Sequence, residues 1–212
     1  MQRLRIRYAK RGRLRFTSHR DFSRAFERAV FRARIPMAYS SGFNPHPRIS
    51  YAGAAPTGSA SEAEYLEIGL AEALPDGLDL LEVVESPGGS LADRLEGSHW
   101  QLDVAADLAT ARAAVERFLA TETVSVERMT KKGLREFDCR AAVLALSVEE
   151  RGPGSRLQLV LRHTVPAVRP DDVLTGLRAV AGLDPGEAPL LTRLAQGPLD
   201  EASATVGDPL GS

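Results

Sequence analysis

The first fifty residues change from a strand pattern to a helical one. Between positions 4 and 8 apolar residues alternate with arginines, which predicts a β-strand with one basic face, and a second short strand is predicted over 14–16. From His19 onward apolar residues recur at helical spacing, which predicts an α-helix over 19–34. Thr17 or Ser18 supplies the side-chain oxygen for its N-cap. The chain therefore opens with a basic strand pair followed by an amphipathic helix.

The rest of the chain alternates strands with helices in an order that recurs in the second half. Helices are predicted over 107–120 and from Pro170, and strands over 37–40, 48–51, 64–70, 78–84, 99–105, 123–129, 135–149 and 156–164. Strand, helix, strand, strand, helix is most of a split βαβ unit. We therefore predict an α+β fold of two tandem ferredoxin-like domains, each an antiparallel sheet with its helices on one face.

Glycine, proline and serine clusters predict the domain boundaries. The break at 86–90 ends a basic N-terminal domain over 1–86 and opens a linker over 87–97. A C-terminal domain follows over 98–195. The remaining residues, 196–212, have no periodicity, and we predict a disordered tail there.

Composition narrows the class of protein. With 43% hydrophobic and 26% charged residues, the chain is neither collagen-like nor mostly disordered. The single cysteine, Cys139, excludes an internal disulfide and a cysteine-rich metal site. Because no apolar run approaches the about 20 residues of a membrane span and the basic N-terminus lacks the apolar stretch of a signal peptide, we expect no membrane contact and a cytoplasmic location.

Charge is distributed unevenly along the chain. Residues 1–51 carry thirteen Lys and Arg against two acids, a net charge of +11, and the remaining 161 residues carry 14 bases and 26 acids, a net charge of −12. A dense positive field attracts polyanions such as RNA. The alternative is that these side chains cover solvated faces and pair with acids from elsewhere in the chain.

The predicted first helix concentrates this charge in one row, formed by Arg20, Arg24, Arg28 and Arg32. Like charges spaced by four residues repel each other on a helix unless an anion relieves them. These four residues are therefore the main candidates for nucleic-acid binding, together with Arg48 and with Lys131 and Lys132 of a basic turn in the second half. The alternative for that turn is a hairpin tip in which lysines only aid solubility.

A loop rich in glycine and proline, 42–47, follows the first helix and is flanked by aromatic residues. Tyr39, Phe43 and Tyr51 lie beside basic residues in the sequence, as in proteins that stack unpaired bases on aromatic rings. The alternative is that these aromatics belong to the core. Asn44 is either a turn residue or a ligand-binding amide.

Two histidines are candidates for acid–base chemistry. His19 lies at the start of the first helix and His46 lies between two prolines of the loop; imidazole is a common general acid or base, and a loop fixed by prolines can hold such a group in place. The alternative is a capping or packing role. Glu62 and Glu64 share one strand face, and we expect them to pair with N-terminal arginines rather than to hold a metal.

Several cofactor motifs are absent from the sequence. It contains no GxxxxGK[ST] loop, no GxGxxG after a strand, no HExxH and no CxxxCxxC cluster. We therefore expect no cofactor and no metal of its own.

Longer motifs give the chain a specific resemblance over roughly residues 2–180. The segments 15–22 (RFTSHRDF), 39–50 (YSSGFNPHPRIS), 61–66 (SEAEYL) and 169–174 (RPDDVL) resemble a bacterial family of unknown function called radical SAM-associated, or radical SAM-linked, proteins. The resemblance implies a partner, a radical SAM protein encoded nearby or fused. It also implies a set of motif positions, which we take as candidate ligand contacts together with the loop aromatics Tyr39 and Phe43: His19, Asp21, Ser40, Gly42, Asn44, Pro45, His46, Glu62, Glu64, Tyr65, Lys131, Asp138 and Arg140. The sequence departs from this family after Leu70, where its members carry a helix for which 71–73 is too short.

A looser likeness is to the RAMP-type CRISPR RNA-processing proteins, which share tandem ferredoxin-like domains and a histidine near the first helix. Our leading hypothesis is a non-catalytic, RNA-binding or substrate-presenting partner of a radical SAM enzyme. The alternatives are an RNA-processing or RNA-modifying enzyme that uses His19 and His46, and a protein–protein adaptor that binds no RNA.

Overall fold

A computed structural model describes residues 2–72, 83–86, 88–130 and 133–211 of the chain. In these residues three α-helices are combined with strands that pair antiparallel, which is the predicted mixed α+β class. Contacts between Cα atoms divide the chain into two compact units, 1–94 with 208–212, and 95–207. Each unit is described by itself below.

In its described residues, the first unit is built from one α-helix and four strands. Its elements are β1 (Gln2–Lys10), α1 (His19–Arg32), β2 (Ile49–Ala52), β3 (Ala60–Leu70) and β4 (Val83–Glu85), with short 3-10 helices at Gly12–Phe16 and Ala92–Arg94. The strands lie in the order β4, β1, β3, β2, and each pair is antiparallel. Because side chains alternate along β1, its apolar residues face one side of the sheet and its arginines face the other.

Helix α1 covers the apolar side of this sheet. Its residues Phe22, Phe26 and Val30 pack on a core that includes Leu66 and Ile68 of β3. The N-cap is Ser18, whose Oγ accepts a hydrogen bond from the Asp21 amide, as one of the two predicted alternatives requires. Packing of this stripe turns the arginines of α1 toward solvent.

The C-terminal end of α1 has an unusual backbone conformation. The Ile35 amide donates to the Val30 carbonyl oxygen at 3.2 Å, which closes the helix in the manner of a Schellman motif. Arg34, the residue at the turn, has a φ of 55°. This left-handed region favours glycine, so an arginine there is held at a cost of roughly 1 kcal/mol.

The second unit contains two helices and more strands in the described residues. Its elements are β5 (Gly97–Val104), α2 (Leu108–Ala120), β6 (Ser125–Thr130), β7 (Gly133–Asp138), β8 (Val143–Glu150), β9 (Ser155–Arg162), α3 (Pro170–Ala181), β10 (Leu190–Gly197), β11 (Leu199–Asp200) and β12 (Thr205–Val206). Strands β10, β5, β9 and β8 form an antiparallel sheet in that order. Strands β6 and β7 form a separate hairpin, and β11 and β12 form another two-stranded ladder.

Several predicted elements differ from the structure. The strand predicted over 14–16 is a 3-10 helix, since the Leu14 and Thr17 amides close successive turns. The strand predicted over 37–40 is reduced to two isolated bridges, Met37 with Leu70 and Tyr39 with Pro47. The extended segment predicted over 135–149 is divided by a 3-10 turn between β7 and β8. Most of 78–84, and the site of the helix missing after Leu70, lie outside the described residues.

The predicted linker and the predicted tail compare differently with the structure. Leu91 and Leu95 are buried, and the division between the units falls between Arg94 and Leu95, inside the linker predicted over 87–97. The predicted disordered tail, 196–212, instead contains the end of β10, the β11–β12 ladder and the buried Leu210. Apolar residues anchor both segments, and their spacing is too irregular to be recognised as periodic.

Candidate nucleic-acid interface

The arginine ladder, defined as Arg20, Arg24, Arg28 and Arg32, lies on the solvent side of α1. All four side chains are exposed. In the described part of the chain none of them forms an ion pair or a side-chain hydrogen bond, although Glu27 lies on the same helix. Over 1.5 Å of rise per residue, the ladder extends along roughly 18 Å of helix.

The arginines of β1 are instead neutralised within the fold. Arg5 is fully buried, and its Nε donates to Glu67 Oε2 at 3.2 Å while its Nη2 donates to the carbonyl oxygens of Gly88 and Gly89. Arg3 lies 3.6 Å from the other oxygen of Glu67. Arg3 and Arg5 thus share a carboxylate, whereas the ladder arginines have no ion-pair partner in the described residues.

Glu62, like Glu67, pairs with an arginine of the N-terminal region. It accepts hydrogen bonds from Arg11, and this contact lowers the pKa of the Glu62 carboxyl. The expectation that Glu62 pairs with an N-terminal arginine is confirmed. Within the described residues, no group of three or more His, Cys, Asp or Glu side chains is arranged to hold a metal ion.

A wide groove runs beside α1, with a volume of about 940 Å³. Three ladder residues, Arg24, Arg28 and Arg32, line it together with Arg34 and Glu27. Its apolar lining includes two exposed rings, those of Phe31 (78% exposed) and Tyr39 (50% exposed). The other lining residues are Val30, Ile35, Met37, Pro47 and Ile49. The groove thus combines cationic and aromatic groups within the first unit.

The loop over 42–47 is closed at its base and exposed at its tip. The Ser40 amide donates to the His46 carbonyl oxygen at 2.9 Å, and the His46 amide donates to Ser40 Oγ at 3.1 Å. Gly42 adopts a φ of 135°, which a residue with a side chain rarely adopts. The tip residues Phe43, Asn44 and Pro45 are exposed, and Phe43 is fully so.

The three aromatic residues that were predicted to stack on bases differ in their exposure. Tyr39 and Phe43 are exposed, whereas Tyr51 packs edge-on against Phe22 and Phe26. Burial also raises the pKa of Tyr51. Tyr51 is therefore a packing residue.

Arg48 lies apart from the ladder. It lines a second cavity with Arg3, Ser50 and Glu67, on the side of the sheet opposite α1, and its Nε donates to the Tyr39 carbonyl oxygen at 3.2 Å. The sequence grouped Arg48 with the helix arginines, and the alternation of side chains around β2 explains the difference. Lys131 and Lys132 lie outside the described residues.

The two candidate histidines have different surroundings. The His19 ring packs edge-on against Tyr51, with 4.9 Å between ring centroids, and lines a cavity of about 20 Å³. Glu64, which is buried and accepts hydrogen bonds from the Ala55 amide, lines the same cavity. His46 is exposed in the loop. Neither a hydrogen bond nor a ring contact joins the two histidines in the described residues.

Other motif residues have structural contacts. Asp21 accepts a hydrogen bond from Ser18 Oγ in the cap of α1, and Tyr65 is buried in β3. Asp138 Oδ1 accepts from the Val124 and Arg140 amides, each at 2.9 Å. Arg140 Nη1 donates to the Val143 carbonyl oxygen at 3.0 Å. These contacts hold the chain at a cap and at the turn between β7 and β8.

The sequence did not indicate Phe31 or Arg34 as site residues. Phe31 follows the buried Val30, so the pattern assigned no role to it, and the left-handed conformation of Arg34 has no sequence signal other than its position before Ile35-Pro36. Both become candidates only through the groove that they line.

The described residues thus define a mixed α+β protein whose first unit presents a basic helix. No helix among them is long and apolar enough to cross a bilayer. Residues 3–170 match the family described as "Uncharacterized protein conserved in bacteria (DUF2344)". Because the match covers more than half of the sequence, the chain belongs to this family.

Two further comparisons concern individual proteins. A search of curated proteins found no match. Among solved structures, the chain is similar to one in the "Crystal Structure of a Cbf5-Nop10-Gar1 Complex", with a TM-score of 0.52 and 9% identity. The similarity covers 91% of this chain and 48% of the matched chain, so this chain spans about half the length of the matched chain. At this identity the likeness shows the fold alone.

Proposed function

We propose that this protein binds RNA through the arginine ladder of α1 and does so as the non-catalytic partner of a radical SAM enzyme. The observation that carries the proposal is the exposure of Arg20, Arg24, Arg28 and Arg32 without an ion-pair partner in the described residues. Four like charges at helical spacing repel each other, and a phosphate backbone relieves that repulsion.

The distribution of acids supports the same proposal. Glu62 and Glu67, both acids of β3, pair with arginines of β1 and the following turn. The four ladder arginines are not paired in this way in the described residues, and their exposed charge steers a polyanion toward the helix.

The partnership with a radical SAM enzyme rests on the resemblance carried by the motifs at 15–22 and 39–50. In this role the protein would present its bound RNA to the enzyme, and the exposed loop tip at Phe43 is available for contact with the enzyme.

The succession of strands supports a related architectural proposal, two ferredoxin-like domains. The orders β4, β1, β3, β2 and β10, β5, β9, β8 each fit a split βαβ unit, the second with an inserted hairpin.

The enzyme alternative has less support from the surroundings of its two residues. His19 packs against Tyr51 at the start of α1, whereas His46 belongs to an exposed loop. A shared acid–base pair requires both groups within hydrogen-bond reach of one substrate. The adaptor alternative uses the same arginines, and an experiment has to separate it from RNA binding.

The test is purification of the protein from its native host at low salt, followed by sequencing of the bound RNA and identification of the bound proteins. An Arg24→Glu, Arg28→Glu variant reverses two charges of the ladder. An Arg112→Glu, Arg117→Glu variant makes the same change on exposed residues of α2 and is the matched control.

We expect RNA enrichment with the wild type and with the α2 variant, and loss of the RNA with the ladder variant. A radical SAM protein should be present among the bound proteins. If all three proteins carry the same background RNA, RNA binding through the ladder is wrong. If ladder reversal instead removes a bound protein in samples free of RNA, the adaptor alternative is correct.

A further inference from the structure

We propose that the groove beside α1 holds unpaired bases, so that the protein selects single-stranded RNA over duplex RNA. This inference rests on the proposed function and names the form of RNA that the same helix takes. It is carried by the two exposed rings of the groove, by its charge and by the conformation of Arg34.

The rings of Phe31 and Tyr39 are available for stacking. Phe31 is 78% exposed although it follows Val30, which is buried in the core beneath α1. Tyr39 is half exposed on the segment that precedes the loop. The floor of the groove between them is apolar, with the buried Val30 and Met37. An aromatic ring exposed above an apolar floor accepts the face of a base of any sequence.

Charge complementarity assigns this groove to a polyanion. Among the described residues, four arginines and one acid, Glu27, line it. A purely apolar occupant would leave these guanidinium groups without counter-charge, whereas a nucleic acid strand supplies a ring and a phosphate at every step. The volume of about 940 Å³ lies at the upper end of the range for small-molecule pockets and leaves room for more than one base.

Arg34 supports a binding role because its conformation is unfavourable for the fold. Its position favours glycine, yet the chain carries an arginine there that lines the groove. Strained positions persist where the side chain contributes to function. An arginine near a helix C-terminus also interacts favourably with the helix dipole. Both the RNA affinity and the melting temperature of Arg34→Gly therefore have to be measured.

Duplex RNA cannot use these features. Its bases are paired and stacked on each other, and its deep, narrow major groove excludes side chains. It can offer only its phosphates to the ladder. Binding of a duplex should therefore depend on the arginines and not on Phe31 or Tyr39.

The test compares two probes on the full chain: a labelled mixed-sequence RNA of about twelve nucleotides without self-complementarity, and the same strand annealed to its complement. Affinity is measured for the wild type, Phe31→Ala, Tyr39→Ala and Arg34→Gly. Phe16→Ala removes another exposed aromatic ring, which does not line the groove, and is the matched control.

We expect the wild type to bind the single strand at least tenfold more tightly than the duplex. Phe31→Ala and Tyr39→Ala should each lower single-strand affinity by about fivefold to a hundredfold and leave duplex affinity unchanged, whereas Phe16→Ala should change neither. Arg34→Gly should weaken single-strand binding severalfold without lowering the melting temperature, which excludes misfolding as the cause.

The outcomes separate this inference from the proposed function. Equal affinity for both probes, with both lost on reversal of Arg24 and Arg28, would overturn the inference and leave RNA binding intact. Loss of binding to both probes in the ring variants, with an unchanged melting temperature, would also overturn it. No binding of either probe by the wild type would overturn both proposals.

Discussion

Arg5 and Arg28 show how differently one residue type behaves in this chain. Arg5 is fully buried and bonded to Glu67 and to two backbone carbonyl oxygens, whereas Arg28 is exposed on the ladder. Removal of one partner from a buried pair leaves the other without counter-charge. The two arginines therefore have opposite roles, one in stability and one in the proposed binding.

We predict that Arg5→Leu lowers the free energy of unfolding by about 3 kcal/mol, because Glu67 loses its shorter arginine contact and keeps those to Arg3 and Ser86 Oγ, while two carbonyl oxygens lose their donor. Arg28→Leu should change it by less than about 0.5 kcal/mol. Urea denaturation of both variants measures the difference. Equal stability of the two variants would show that the buried pair contributes nothing.

The surroundings of His163 link the stability of the second unit to pH. One ring nitrogen lies 2.6 Å from the Leu95 carbonyl oxygen and the other 3.0 Å from Ser98 Oγ, which accepts from Trp100 Nε1. A neutral ring that donates from Nδ1 and accepts at Nε2 satisfies both contacts. Desolvation of the ring, with a further contribution from the charge of Arg193, lowers the pKa of His163.

We predict that His163 makes the protein less stable in acid. The unfolded chain takes up the proton at a higher pH than the native state, so the contribution of His163 is complete above about pH 6.5 and declines as the pH falls toward the native pKa. Free energies of unfolding at about pH 7.5 and about pH 5.5 should fall more for the wild type than for His163→Gln. Parallel losses in the two proteins would contradict the assignment.

At the scale of elements, close packing explains why helix α3 contains a glycine, Gly176. A Cβ on Gly176 would lie 2.7 Å from Cys139 Sγ and 3.0 Å from both Phe118 Cε2 and Val124 Cγ1. Glycine normally weakens a helix by about 1 kcal/mol relative to alanine. Here it permits α3 to lie close to α2 and to the buried Cys139.

We predict that Gly176→Ala destabilises the protein by about 1–3 kcal/mol despite the better helix propensity of alanine, because overpacking of a buried contact outweighs propensity. Thr175→Ala, one residue earlier on the exposed side of α3, should be neutral within about 0.5 kcal/mol. Thermal unfolding of the two variants measures this. A stabilised Gly176→Ala protein would mean that the space around this glycine adapts freely.

Local signals explain which elements were predictable. The apolar repeat and a cap at Thr17 or Ser18 placed α1 at 19–34, and the structure has it at His19–Arg32 with Ser18 as the cap. Asp107 and Pro170 marked the starts of α2 and α3 in the same way. The prediction of a strand over 14–16 was wrong because the Leu14 and Thr17 amides close 3-10 turns. The β11–β12 ladder was not predicted because each of its strands has only two residues.

The candidate site was predictable to the extent that it depends on helical spacing. The ladder follows from the sequence alone, whereas the neutralisation of Arg5 and Arg3 depends on their pairing across the sheet with Glu67 and its neighbour Gly69. That register joins residues more than sixty positions apart. The same limit hid Phe31 and Arg34, whose role depends on a groove formed by α1 and the later segment 37–49.

At the scale of the whole molecule, the net charge of −1 is the sum of a basic N-terminal region and an acidic remainder of the chain. Glu67 of β3 pairs with Arg3 and Arg5 and Glu62 pairs with Arg11, whereas the ladder arginines are exposed without an ion-pair partner in the described residues. Such a field raises the rate at which a polyanion meets the protein and makes that rate sensitive to salt. The central claim, RNA binding by this face, is therefore an electrostatic claim.

The most direct test is the salt dependence of RNA affinity. A single strand that contacts all four ladder arginines should give a slope of about −3 for the logarithm of the association constant against the logarithm of salt concentration. Arg24→Gln, Arg28→Gln should reduce its magnitude by about 1.4, and Arg112→Gln, Arg117→Gln on α2 should leave it unchanged. An affinity that does not change with salt, or a slope unaffected by the ladder variant, would contradict the account.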